Sequence, residues 1–317
     1  MNRLTLERRQ VGIYAAAIAA GLFTGGAWPD TAPVLEACLW PTLALLLYVT
    51  FVQVPLWHVR DAFRDHRFIA AMLVGNFVVL PVVVAVLLAG LPPDPAVRLG
   101  VAMVLLVPCT DWFITFSQLG GANVARAIAT TPINLLLQLA LLPVYLWLLL
   151  DAQPLVGWGL TDIAPALGVV AVALLLAAAS ERWIEARPPT RHAWRKRLVW
   201  WPVPLLAVVV FLIAGVQAHA AWDAFGSLAG VVPVFVVFLL LSGAIAKVLA
   251  RLMRLPRDQG RTLAFSLGTR NSFVVLPFAL ALPPGWEVVA LIIVLQSLVE
   301  LVGMVFYLWW IPRHLFR

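Results

Sequence analysis

Residues 107–111 read Val107-Pro108-Cys109-Thr110-Asp111, midway along an otherwise apolar stretch from Leu99 to Gly120. Two of these residues are incompatible with an uninterrupted apolar helix. Pro108 lacks a backbone donor and its ring crowds the preceding turn, so the helix is expected to kink or unwind. Asp111 would cost about 2.5–3.5 kcal/mol at the centre of a bilayer unless it faces a partner or a wet cavity. A second stretch, Arg261 to Leu282, carries a matching fault, Gly268-Thr269-Arg270-Asn271-Ser272. Laying Thr110 on Thr269 puts Asp111 on Arg270, an acid and a base at equivalent points. Paired interrupted segments in corresponding halves point to the midplane site of a secondary transporter.

Composition supports the word midplane. Of the 317 residues, 63% are hydrophobic and 12% charged, against roughly 25% charged in an ordinary soluble domain. Apolar runs of about 18 or more residues recur, long enough to cross a hydrocarbon core about 30 Å thick. The chain therefore reads as an all-α polytopic membrane protein. Cys38 and Cys109 are too few and too differently placed for a disulfide framework. Arg8-Arg9 before an alanine-rich run resembles a signal segment, but the run reads better as a retained first span, since its loss would spoil the symmetry below.

Ten spans are expected, at 11–28, 39–57, 68–91, 99–120, 124–150, 161–179, 199–218, 228–250, 261–282 and 286–311. Ten spans put both termini on one side. All of the 22 Lys and Arg residues except Arg98 and Arg270 then fall on that side, so both termini are expected to be cytoplasmic, with the protein in the inner or plasma membrane. Topology thus accounts for the net charge of +7, which gives a nucleic-acid role no support. Loops reach about 18 residues at most, and no soluble domain is expected among them. Lys196 and Lys247, the only lysines, fit no phosphate-binding loop; an ion gradient or a separate ATPase subunit would drive any uphill transport. The loop from Asp151 to Asp162 separates two halves of five spans, 1–153 and 154–317. Five is odd, so the halves are expected to be inverted repeats with broken, crossing fourth and ninth helices.

Polar residues in neighbouring spans complete the candidate substrate or ion site: Cys109, Thr110, Asp111, Thr269, Arg270, Asn271, Ser272, Asn134, Gln138, Gln296 and Glu300. Asn134 and Gln138 are four apart and share one helical face, as do Gln296 and Glu300. Each has a plainer reading. Asp111 and Arg270 could simply lock two broken helices together, since intramembrane charges pair as well as function. Cys109 reads as a small buried hydrophobe or as a soft ligand for a thiophilic species. Glu300 reads as a proton carrier, a structural partner, or a side chain reaching the cytoplasmic interface. Asn134, Gln138, Asn271, Ser272 and Gln296 also serve if they only tie helices together. The histidines show no metal-ligand spacing, so neither metal nor cofactor is expected. An enzyme would need a nucleophile–base pair at membrane depth, and the buried candidates lack a nearby histidine.

This arrangement resembles the bile-acid/sodium symporter superfamily. Sodium-coupled members carry a Glu-x-Gly-x-Gln-Asn-Ser-like run in span 9, and the run here is Ser266-Leu267-Gly268-Thr269-Arg270-Asn271-Ser272. Gly268, Asn271 and Ser272 match. Ser266 and Arg270 replace two residues that help hold sodium in the family, and a guanidinium at that place argues against a sodium site. Pro108-Cys109-Thr110 resembles the span-4 motif of the arsenite-efflux permeases. Their span-9 acid falls on Val274 here, and the alanine that commonly follows their Cys-Thr falls on Asp111. The acid and base are therefore departures from both branches. The resemblance implies a core of spans 3–5 and 8–10 moving against a panel of spans 1, 2, 6 and 7. It implies a secondary transporter nearest the arsenic-resistance branch, for a metalloid or inorganic anion; coupling to protons through Asp111 or Glu300 is a separate expectation, drawn from these residues and not from the resemblance. The alternative is an organic-anion transporter for a bile-acid-like or small carboxylate substrate.

Overall fold

The computed structural model describes residues 3–58, 65–110, 112–150, 160–186, 194 and 197–317; side chains are not described at 3–9, 58 and 160–163. Among the described residues the regular structure is helical, apart from one isolated bridge. In order, the α-helices of eight or more residues are α1 (Arg3–Ala27), α2 (Ala32–Phe51), α3 (His66–Val74), α4 (Leu80–Ala89), α5 (Pro95–Leu105), α6 (Trp112–Leu119), α7 (Val124–Leu149), α8 (Leu160–Glu185), α9 (Pro202–Val216), α10 (Phe225–Leu252), α11 (Arg257–Gly268), α12 (Ser272–Leu280) and α13 (Glu287–Trp310). A π-helical turn, Gly75–Val79, joins α3 to α4.

Among the described residues, seven helical segments are long and apolar enough to cross a membrane. This is a multi-pass membrane protein. The other three expected spans are shorter pieces: α5 with α6, α9, and α11 with α12. Span 2 lies earlier than expected, at Ala32–Phe51 rather than 39–57. Prolines explain the shift: Pro33 sits in the first turn, where its missing N–H costs nothing, and Pro55 disfavours helical backbone at the residue before it. Polar caps set other starts. Asp65 accepts from Phe68 N, Asp94 from Ala96 N and Val97 N, and Asn123 from Arg126 N. The loop at 151–159, expected to divide two repeats, lies outside the described residues.

The chain forms two compact units, and each draws on both halves of the sequence. The first comprises 1–53, 158–229 and 276–294. Here α1 packs on α9 through small residues. A Cβ on Gly25 would lie 1.9 Å from Gly215 O, so the backbones meet at a distance only glycine allows. Tyr48 and Ser180 hydrogen-bond at 3.0 Å between α2 and α8. The second unit comprises 54–157, 230–275 and 295–317. It holds α3 to α7, most of α10, α11 and the later part of α13, with both helix interruptions. The grouping follows the core and panel implied by the resemblance, except that 276–294, the end of span 9 and start of span 10, belongs with the first unit.

Candidate functional site

The two interruptions of the second unit meet. α5 ends at Leu105 and α6 begins at Trp112; α11 ends at Gly268 and α12 begins at Ser272. Between them Pro108 and Arg270 form an antiparallel bridge. Cys109 N donates to Thr269 O at 3.1 Å, and Asn271 N donates to Val107 O at 2.9 Å. Unwinding at Pro108 frees backbone groups that water cannot reach, and the bridge satisfies several of them. Thr110 and Asn271 add a side-chain bond of 3.2 Å. The ring of Tyr307 packs on Gly268, where a Cβ would lie 2.4 Å from its Cε2. Trp112 and Phe273, near the starts of α6 and α12, meet edge to face at 5.4 Å.

Arg270 is 2% exposed. Its Nη1 donates to Leu105 O at 3.2 Å, and its Nη2 reaches Asn76 Oδ1 at 2.9 Å, Ser266 O at 3.2 Å and Leu267 O at 2.7 Å. The Phe238 ring covers the guanidinium at 5.2 Å, a cation–π contact strengthened by the loss of water. Nε has no hydrogen-bond partner among the described residues. Asn76 is held in turn, its Nδ2 donating to Met72 O and Ser266 Oγ.

Glu300 is 1% exposed, so its side chain does not reach an interface; the expectation of snorkelling is corrected. A long side chain snorkels when its charge lacks partners at depth, and here the carboxylate has them. Its Oε2 accepts from the backbone N of Arg270 and from Gln296 Nε2, both at 2.8 Å. Gln296 Oε1 accepts from Ser272 Oγ at 3.0 Å. Residues 296 and 300 do share a face, and it is turned to the break. Asp111, expected as the partner of Arg270, lies outside the described residues.

Asn134 and Gln138 are buried on α7, and all four of their side-chain amide atoms lack a hydrogen-bond partner among the described residues. Buried amide atoms without a partner cost about 1–3 kcal/mol each. Thr130 and Thr131, by contrast, bond back to carbonyls of their own helix. Among the described residues there is no cluster of three or more metal-ligating side chains.

The residue missed from sequence is Asn76. It is the single polar side chain in the run from Phe68 to Leu91, which was a usable signal. It sits in the π-helical turn, a feature found often at functional sites.

The stretch 40–185 matches the family described as Sodium Bile acid symporter family. The apolar helices make the chain a multi-pass membrane protein, and the match leaves its substrate undetermined. The match covers just under half of the chain, from within α2 to the end of α8. It includes Pro108, Cys109, Thr110, Asn134 and Gln138 and stops before Arg270 and Glu300. Nothing in it distinguishes the arsenite branch. No curated protein matches the chain.

Proposed function

We propose that this protein is a secondary active transporter of the symporter family, with ten spans in two inverted repeats of five. It works by alternating access to the crossing of its two broken helices and is not driven by sodium at the span-9 site. The observation that carries the reading is the crossing itself: two interrupted helices joined by one antiparallel bridge, with unsatisfied or charged polar groups gathered around it. Discontinuous helices of this kind place opposed dipole ends at one depth, where substrate and coupling ion can be held without stranding backbone groups in lipid. Cys109, Thr110, Asn271 and Ser272 lie at the starts of α6 and α12. Asn134 and Gln138 offer amides that lack a hydrogen-bond partner among the described residues, and Glu300, with Gln296, bonds toward the backbone of Arg270.

For the substrate, the reading is an arsenite-type metalloid. It is supported by the motif Pro108-Cys109-Thr110 at the break, where Cys109 gives the one soft ligand for a thiophilic species. The second reading, an organic anion, is favoured by the helix starts, whose dipoles suit negative charge. In that reading the carboxylate meets the starts of α6 and α12 rather than Arg270, because both terminal nitrogens of Arg270 already donate to protein oxygens. Transport into proteoliposomes, with arsenite and a panel of organic anions under imposed proton or sodium gradients, tests both. Flux that rises with a sodium gradient at fixed membrane potential, and is lost on substituting Asn271, would overturn the sodium-independent reading.

A further inference from the structure

The oxygens around the Arg270 guanidinium share an origin. In a continuous helix Leu105 O would accept from Cys109 N, Ser266 O from Arg270 N and Leu267 O from Asn271 N. All three donors are diverted: Cys109 N to Thr269 O, Arg270 N to Glu300 Oε2, and Asn271 N to Val107 O. The three carbonyls are therefore orphans at the C-terminal ends of α5 and α11, where the helix dipoles are negative. A fourth oxygen, Asn76 Oδ1, comes from the π-helical turn, and its amide nitrogen is pinned by Met72 O and Ser266 Oγ so that the oxygen faces inward. Carbonyl and amide oxygens at converging helix C-termini are the ligand set of a small hard cation. In this chain the positive charge is delivered by a side chain.

We propose that Arg270 is a tethered cation occupying a small-cation site between the C-termini of α5 and α11, and that removing its side chain leaves a site for an alkali-metal ion. The two broken helices are thus held together permanently, where a bound ion would hold them only when present. The proposal rests on the transporter reading for one consequence alone, that coupling to an ion at this point is dispensed with.

Thermal melting of the purified full-length protein in detergent tests it with no substrate present. Wild type should melt at one temperature in sodium, potassium and choline chloride of equal ionic strength. Arg270→Ala should melt lower in choline, and its melting temperature should rise saturably with sodium, with potassium or with low concentrations of methylguanidinium. Arg270→Lys keeps a tethered cation and should be indifferent to the salt. Adding Asn76→Ala to Arg270→Ala should weaken the rescue. Equal melting of Arg270→Ala in all media would overturn the proposal. If that variant is recovered folded only when solubilised with an alkali ion or methylguanidinium, the proposal is supported; equally failed recovery in every medium overturns it. A protein that shows this rescue but moves none of the tested solutes would sink the functional reading and leave the tethered cation standing.

Discussion

Glu300 is the acid that the structure ties to the crossing, and replacing it separates charge from hydrogen bonding. Glu300→Ala removes the acceptor of two buried donors, Arg270 N and Gln296 Nε2, each at 2.8 Å from Oε2. It also withdraws a negative charge from the neighbourhood of a buried guanidinium. A hydrogen bond to a charged group contributes about 1.5–3 kcal/mol, but these two share one oxygen and do not add fully. Breaking a buried charge arrangement by removing one member costs about 3–5 kcal/mol, and we expect Glu300→Ala to fall in that range. Glu300→Gln keeps an oxygen for Arg270 N and turns its own amide hydrogens toward Gln296. Rotation of the Gln296 amide can restore one bond there at the expense of its bond to Ser272, so a cost of about 1–3 kcal/mol is expected. Unfolding in mixed micelles titrated with a denaturing detergent, followed by tryptophan fluorescence, gives the order wild type, Gln, Ala. An alanine variant within about 1 kcal/mol of wild type would refute the reasoning, since that is no more than the effect of an average substitution.

Three further outcomes are expected. Gly268→Ala drives a methyl group into the ring of Tyr307, whose hydroxyl is anchored on Leu239 O. It should destabilise by about 1–3 kcal/mol, and the loss should shrink in a Tyr307→Leu background; no coupling between the two would show that the ring does not press on Gly268. Asp111→Ala and Arg270→Ala should each cost about 3–5 kcal/mol, with the double variant less damaged than their sum; additive single effects would show that the two residues do not meet. Cys38 is exposed and Cys109 buried, and with both termini cytoplasmic Cys38 should react with an impermeant maleimide added outside intact cells. Labelling of Cys38 only after permeabilisation would reverse the topology.

The breaks were legible because proline and charge inside apolar runs are legible: Pro108 and Arg270 stand where no continuous helix would put them. The seven long apolar helices were legible from hydropathy, though an end moved where a proline such as Pro33 overrode it. What the letters hid was the direction of Arg270. A guanidinium in an apolar run invites a search for a carboxylate, and Asp111 was the natural partner. Its described partners are mostly carbonyls, which every residue carries and no sequence marks as orphaned. Only the crossing of the helices creates them, by diverting Cys109 N, Arg270 N and Asn271 N. Asn76 was overlooked for a related reason. Its partner lies 190 positions away, and its one local signal, a lone polar side chain in an apolar run, does not say what it meets.

Helix polarity then divides the crossing into two chemistries and ranks the substrate readings. The C-termini of α5 and α11 are neutralised by Arg270. The start of α12 is met by Glu300, whose carboxylate accepts from Arg270 N just ahead of it, and the sequence sets Asp111 immediately before α6. An anion drawn to the start of α12 by its dipole would therefore approach the Glu300 carboxylate in a low-dielectric site, where like charges at close range cost several kcal/mol. An uncharged, hydroxylated metalloid meets no such repulsion and needs only hydrogen bonds and the thiol of Cys109. The two readings thus differ in their response to this acid: influx of a carboxylate into proteoliposomes should rise in Glu300→Gln, whereas influx of an uncharged metalloid should change little. Carboxylate flux that is the same in Glu300→Gln as in the wild type would mean that Glu300 does not face the substrate.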